Sequence, residues 1–181
     1  MVTREAVTLL SGGFDSALTL SLLLDSGWAS TALFVNYGQI PVRDERAASR
    51  SLASYFQVEW RETVVQGIQA TPFAEIPSRN DLLLSIAAAA CPRRSLAIGI
   101  HAGTDFLDCS VPYARAWQHL LDAQFNGVRR ILAPLINMTK AEVLALGSKL
   151  QLPTFLTYSC EDQGGPCGVC RSCRDSSQEP G

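Results

Sequence analysis

The sequence predicts an α/β fold: a doubly wound, parallel five-stranded sheet with helices on both faces, followed by a small cysteine-bearing C-terminal element. Three observations predict it. Short apolar, β-prone runs alternate with longer segments of helical periodicity. A glycine-rich bend, Ser11-Gly12-Gly13-Phe14-Asp15-Ser16, joins the first strand-like run to the first helix-like one. After Leu152 the composition shifts to Gly, Cys, Pro and Ser. Regular β-α alternation gives parallel sheets covered on both sides, with ligands gathered at the carboxyl ends of the strands.

The elements follow in order. Residues 5–10 read as a short buried strand, and residues 15–25 as a Leu-rich helix ending at Gly27, a suitable C-terminal residue. Residues 31–36 (TALFVN) form a second strand. Residues 42–56 carry helical periodicity, with Ala47, Leu52 and Phe56 set among charges, and residues 58–65 are β-branched and strand-like. Residues 67–78, with Pro72 and Pro77, read as a loop. An Ala/Leu-rich helix spans 81–91 and stops at Pro92; residues 95–101 (SLAIGIH) form the fourth strand. A helix over 113–125 closes near Gly127, and residues 130–135 make the fifth strand. Thr139 opens the last helix, which runs to about residue 150; Thr139 and Glu142 have capping-box spacing. Residues 175–181 (DSSQEPG) read as a disordered tail.

The 181 residues are 47% hydrophobic and 18% charged, enough apolar material for a core. A net charge of −2 disfavours a broad nucleic-acid surface, which needs a basic face. No apolar run approaches the roughly 20 residues that span a bilayer. Residues 1–6 lack the apolar core of a signal peptide. The expected compartment is the cytoplasm, with no membrane partner.

The bend at 11–16 has the chemistry of an anion site. Its glycines allow a tight turn and close approach to a ligand. Backbone N–H groups and the positive end of the following helix then face an anion. Ser11 and Ser16 add hydroxyls, and Asp15 beside a phosphate suits a bound Mg²⁺. A plain strand-to-helix turn with a Ser/Asp cap accounts for the same residues. The bend is neither a Walker loop nor a dinucleotide GxGxxG loop.

Four of the six cysteines, Cys160, Cys167, Cys170 and Cys173, fall in one Gly-rich segment. Four thiolates suit a closed tetrahedral Zn²⁺ site with Zn–S of roughly 2.3 Å. An iron–sulfur cluster is the alternative for the same ligands. Cys91 and Cys109 stand alone. The tail has little apolar material, so ligation would supply its ordering energy.

SGGFDS resembles the SGGxDS signature of the PP-loop ATP pyrophosphatases, which cleave ATP between the α- and β-phosphates and transfer AMP to a substrate oxygen. The segment TYSC-x6-CGVCRSC is similar to the C-terminal zinc element of the QueC (7-cyano-7-deazaguanine synthase) family within that superfamily. Four further stretches resemble it in the same order: Phe34-Val35-Asn36-Tyr37-Gly38-Gln39, Pro77-Ser78-Arg79-Asn80, GIHAGTD at 99–105, and Pro134-Leu135 with Lys140 and Glu142. The likeness covers about residues 7–173.

The resemblance implies a PP-loop, HUP-like domain over 1–153 and a four-cysteine zinc element over 154–181. It implies that Leu10, Ser11, Gly12, Gly13, Phe14, Asp15 and Ser16, with Phe34, Asn36, Tyr37 and Arg79, hold ATP. It gives Asp15, Ser16 and Lys140 catalytic roles at the phosphates and Mg²⁺; by itself, Lys140 equally suits a solvated first-turn lysine. Asn80, His101, Thr104, Asp105 and Asp108 would border the substrate, and Cys160, Cys167, Cys170 and Cys173 would hold Zn²⁺. The implied reaction uses ATP and ammonia to convert 7-carboxy-7-deazaguanine into the nitrile through adenylated intermediates, in a homodimer. Two departures stand out. Only 67–76 fills the gap before Pro77, and the family's SGYPDCR loop is reduced to Asp108-Cys109 within 106–113. The altered loop also suits a related enzyme that passes an adenylated deazapurine acid to a protein or nucleic-acid acceptor. A tRNA-thiolating relative would need a catalytic cysteine pair and an RNA-binding surface.

Overall fold

The computed structural model describes residues 4–68, 76–92, 94–104 and 106–176. Strands β1 (Glu5–Leu9), β2 (Ala29–Asn36), β3 (Glu59–Val64), β4 (Ser95–Ala97) and β5 (Ile131–Leu132) form one sheet in the order β3-β2-β1-β4-β5. All four pairings are parallel. The helices are α1 (Phe14–Asp25), α2 (Val42–Tyr55), α3 (Arg79–Ala90), α4 (Val111–Phe125), α5 (Lys140–Lys149) and a short α6 (Arg171–Ser176).

Period-two alternation divides the strand side chains between two cores. Val7, Leu9, Leu33, Val35, Leu96 and Ile98 pack with Leu84 and Ala87 of α3 and Trp117 and Leu121 of α4. Leu10 and Ala32 pack with Ala17, Leu18 and Leu20 of α1, Leu52 and Ala53 of α2 and Val143 of α5. Helices therefore cover both faces, as the sequence predicts. The chain winds outward from β1 through β2 to β3, then crosses to β4 on the other side of β1. The carboxyl ends of β1 and β4 thus diverge at a switch point, where such sheets bind ligands.

Two strands are shorter than expected. The fourth was read over 95–101, but β4 ends at Ala97. Beyond it the chain turns toward α1: a Cβ on Gly99 would lie 2.7 Å from the Asp15 carbonyl oxygen, so only glycine allows this approach. The fifth was read over 130–135 and pairs only at Ile131 and Leu132, since Pro134 offers no N–H to a ladder. The Thr139–Glu142 capping box is present. The expected tail begins inside α6, which continues through Ser176; residues 177–181 lie outside the described residues.

Arg129 is 2% exposed, yet no carboxylate faces it among the described residues. It lies just past α4, and its guanidinium donates to the carbonyls of Ala88 (3.2 Å), Cys91 (3.0 Å) and Arg94 (2.7 Å). These groups lie at and just past the end of α3, whose terminal carbonyls have no partners within the helix. A buried cation is satisfied there by carbonyl oxygens and the negative end of the helix. Among the described residues no helix is long and apolar enough to cross a membrane.

Candidate functional site

The loop after β1 is shaped by contact with α2. Gly12 adopts φ +96°, and a Cβ there would sit 2.6 Å from the Glu45 carbonyl oxygen. Both the conformation and the space require glycine. Gly12→Ala is therefore expected to lower stability by about 2–4 kcal/mol, read by urea unfolding. Gly13, at the N-terminus of α1, is extended and gives the helix no side-chain cap. The first-turn N–H groups are thus left for an external acceptor. Ser16 Oγ donates to the Gly13 carbonyl (2.8 Å) and lies 3.2 Å from Ser11 Oγ.

Asp15 is the electrostatic centre of the site. Lys140, the first residue of α5, donates to both of its carboxylate oxygens at 2.8 and 3.1 Å. His101, just past β4, places Nε2 3.5 Å from Oδ2. The Gly103 N–H donates to His101 Nδ1 (3.0 Å), which leaves Nε2 as the protonated nitrogen facing Asp15. Burial pushes the Asp15 carboxyl upward, but the His101 hydrogen bond and the Lys140 ammonium outweigh it and hold the group below its ordinary value. A Cβ on Gly103 would lie 2.8 Å from the Lys140 amide nitrogen. Gly99 and Gly103 therefore let the segment after β4 press against both helix starts.

A second cluster lies at the end of β2. Gln39 donates to Glu45 (2.8 Å) and accepts from the Tyr37 N–H (3.0 Å). Burial pushes the Glu45 carboxyl up, opposed by Gln39 and the Arg79 guanidinium. Arg79 also hydrogen-bonds the Tyr37 hydroxyl, whose ionisation burial nevertheless pushes up. Asn36 Oδ1 accepts from the Gly38 N–H (3.1 Å), fixing the turn that leads to Gln39.

The substrate-side residues form a third group. Asn80, 4% exposed, donates to the Asp108 carbonyl (3.2 Å), which ties the start of α3 to the loop before α4. Thr104 borders Cys109, whose thiol burial pushes up, unlike that of an activated nucleophile. Asp81 accepts from Tyr113 Oη (2.9 Å) and Trp117 Nε1 (2.8 Å), tying α3 to α4 beside this loop. Asp105 lies outside the described residues.

The Sγ atoms of Cys160, Cys167, Cys170 and Cys173 all lie within 4.8 Å of one another. Tetrahedral zinc at about 2.3 Å per bond sets sulfurs about 3.8 Å apart, so a small contraction closes the shell. Backbone N–H groups already point at the sulfurs: Cys167 to Cys160, Cys170 to Cys167 and Cys173 to Cys170, each 3.3 Å. The N–H groups of Val169 and Cys170 bring the Cys167 thiol down to about 7, whereas at Cys173 the Gly168 backbone hydrogen bond is outweighed by the neighbouring cysteines and burial, which push that thiol up to about 12. The donor set fits a structural metal with no open coordination position.

The structure brings Asp15, Lys140 and His101 together at the loop and gathers the four cysteines into one cluster. Two residues that the resemblance assigns to ATP turn inward. Leu10 is fully buried, and Phe34, 1% exposed, stacks on Trp60 (6.3 Å) under Arg46. The Leu10 backbone is engaged as well: its N–H donates to the Leu33 carbonyl (2.9 Å) and its carbonyl accepts from Ser49 Oγ (2.7 Å). Gly99 and Gly103 stand in the sequence only as part of GIHAGTD, and Glu45 has no role assigned there. The glycine-flanked histidine in Gly99-Ile100-His101-Ala102-Gly103 was a readable signal; Glu45, among the charges of α2, was not.

A family model described as "Queuosine biosynthesis protein QueC" matches residues 5–72 and 62–178. The chain is 33% identical over 204 aligned residues to the 7-cyano-7-deazaguanine synthase of Ralstonia pickettii, covering 94% of this chain and 91% of that one. It is 32% identical to those of Dechloromonas aromatica and Coxiella burnetii, with 94% of this chain and 91% and 90% of the relatives covered. A 4-thiouridine synthetase, solved in complex with RNA and ATP, shares the fold: TM-score 0.54, 16% identity, over 84% of this chain and 41% of that one.

Proposed function

The chain belongs to the QueC family of queuosine biosynthesis proteins, and from that premise we propose that it is a 7-cyano-7-deazaguanine synthase. ATP lies with its β- and γ-phosphates over Ser11, Gly12, Gly13 and the first turn of α1. The acid's carboxylate oxygen attacks the α-phosphorus, and pyrophosphate leaves. Ammonia displaces AMP from the acyl-adenylate and gives the amide. A second ATP adenylates the amide oxygen, again releasing pyrophosphate. Loss of AMP and a proton then leaves the nitrile. The protein supplies positioning and charge rather than a nucleophile.

The observation that carries this reading is the Asp15–Lys140 pair at the uncapped start of α1, with Nζ 2.8 Å from Oδ1. Asp15 would hold Mg²⁺, which would supply charge neutralisation to the phosphates, and Lys140 and Ser16 meet the negative charge that develops on pyrophosphate. Tyr37, Arg79 and Asn36 border the nucleoside; His101, Thr104 and Asp108 border the deazapurine. Residues 1–153 form the catalytic domain, and 154–181 a Zn²⁺ element of structural role. The enzyme is cytoplasmic and homodimeric.

The test is mass spectrometry of products from ATP, Mg²⁺, ammonia and 7-carboxy-7-deazaguanine. The expected product is the nitrile, with two AMP and two pyrophosphate for each nitrile. AMP release without nitrile rejects the reading. One observation favours a second: Phe106 and Leu107 are 48% and 77% exposed beside Asp108 and Cys109. Such a loop suits a macromolecular acceptor of the adenylated acid. Acid-dependent AMP release that requires a protein partner instead of ammonia would identify that case.

A further inference from the structure

The segment between the last domain helix and the first cysteine crosses directly over the phosphate loop. Tyr158 N–H donates to the Gly12 carbonyl (2.9 Å), so the two chains are bonded there. The next residue, Ser159, sets its Oγ 3.5 Å from the point that a Cβ on Gly13 would occupy. Ser11 Oγ lies 3.5 Å from the same point. Two hydroxyls, one from the loop and one from 148 positions later, thus flank the bare backbone of Gly13.

Ser11 Oγ is already engaged with the Gly13 N–H and with Ser16. Ser159 is half-buried, and its hydroxyl makes no hydrogen bond with the protein among the described residues. A hydroxyl in that position has its donor available for an external acceptor. Its placement is fixed from both sides: Tyr158 is bonded to Gly12, and Cys160, 5% exposed, belongs to the four-cysteine cluster. Farther along, the Gly164 N–H donates to Asp44 (3.1 Å) in the first turn of α2, the helix that also packs on Gly12.

We propose that Ser159 is a pyrophosphate-binding residue, its hydroxyl carried onto the phosphate loop by the strap that Cys160 anchors. The metal element thereby contributes a donor to the nucleotide site as well as ordering its own segment. The inference rests on the adenylation reading above, because it takes the leaving pyrophosphate as the ligand of the loop.

Calorimetry on the full-length, metal-loaded protein tests it, with magnesium pyrophosphate and AMP as separate probes. Ser159→Ala is expected to weaken pyrophosphate binding about tenfold, the usual effect of losing one hydrogen bond to a charged group. AMP affinity, metal content and melting temperature should stay at wild-type values, and Ser159→Thr, which keeps the hydroxyl, should restore pyrophosphate binding. Pyrophosphate affinity within twofold of wild type in Ser159→Ala overturns the proposal. So does an equal loss for AMP and pyrophosphate, or loss of the metal, since either makes the serine merely structural. If wild-type protein itself fails to bind magnesium pyrophosphate, the phosphate-loop reading falls with it.

Discussion

Replacing Asp15 with alanine is expected to lower ATP-dependent pyrophosphate release by at least about 10³-fold while the protein remains folded. Removing one preorganised electrostatic group commonly costs about 10²–10³. Asp15 adds to this because it organises two others. Without it, Lys140 loses a contact at 2.8 Å and His101 one at 3.5 Å. Stability should change little, by about 1 kcal/mol, because the carboxylate is 26% exposed and outside both cores. A coupled pyrophosphate assay and a thermal melt measure the two effects. Activity within tenfold of wild type would mean that the ligand binds elsewhere. The carboxyl is held below its ordinary value in the fold. Its stabilising contribution is therefore present above the unfolded value, about 3.9, and is lost as pH falls through the lower folded value. An activity limb near neutral pH belongs to another group.

Stripping the Zn²⁺ proposed for the four-cysteine cluster has the second largest expected effect. Structural zinc contributes about 10–16 kcal/mol in zinc-finger peptides, whereas the segment after Leu156 buries little of its own: Val169 is 74% exposed and Cys160 alone among its cysteines is buried. Chelation, or Cys160→Ser, should release this segment, expose it to protease and break the Tyr158–Gly12 bond. ATP affinity should then fall about tenfold or more, since the phosphate loop loses its cover. Limited proteolysis, metal analysis and nucleotide titration on one preparation check this. Metal-free protein that resists protease and binds ATP normally would contradict it.

The parts of the site legible in the sequence are those whose partners lie close along the chain. The bend at 11–16 announces its own geometry, and the Cys167–Cys170–Cys173 spacing does the same for the four-cysteine cluster. The fold class was legible because buried parallel strands and amphipathic helices alternate with distinct periods. What remained hidden depends on distance in sequence. Lys140 was weighed between a ligand and a solvated helix start; its 125-residue reach to Asp15 appears only once α5 is packed against Gly103. Phe34 sits in the motif that the family places near adenosine, yet the period-two alternation of β2 turns its ring toward Trp60. Glu45 reads as one charge among several in α2; its partners Gln39 and Arg79 both lie outside that helix. Ser159 stands in the TYSC motif, but its place over Gly13 shows only once the strap is folded.

Arg129 has a consequence for how the chain matures as it is made. The carbonyls of Ala88, Cys91 and Arg94 are held by a residue that follows them by 35 to 41 positions. At about 5–20 residues per second, the ribosome delivers that guanidinium roughly 2–8 s after the groups it serves. Until then α3 ends in hydrated, fraying carbonyls, and β4 has no β5 beside it. The β1–β3 half, by contrast, has its strand neighbours as soon as residue 64 is out. Nascent protein therefore gains the β1–β3 half of its sheet first and the β4–β5 half second, with one arginine as the latch between them.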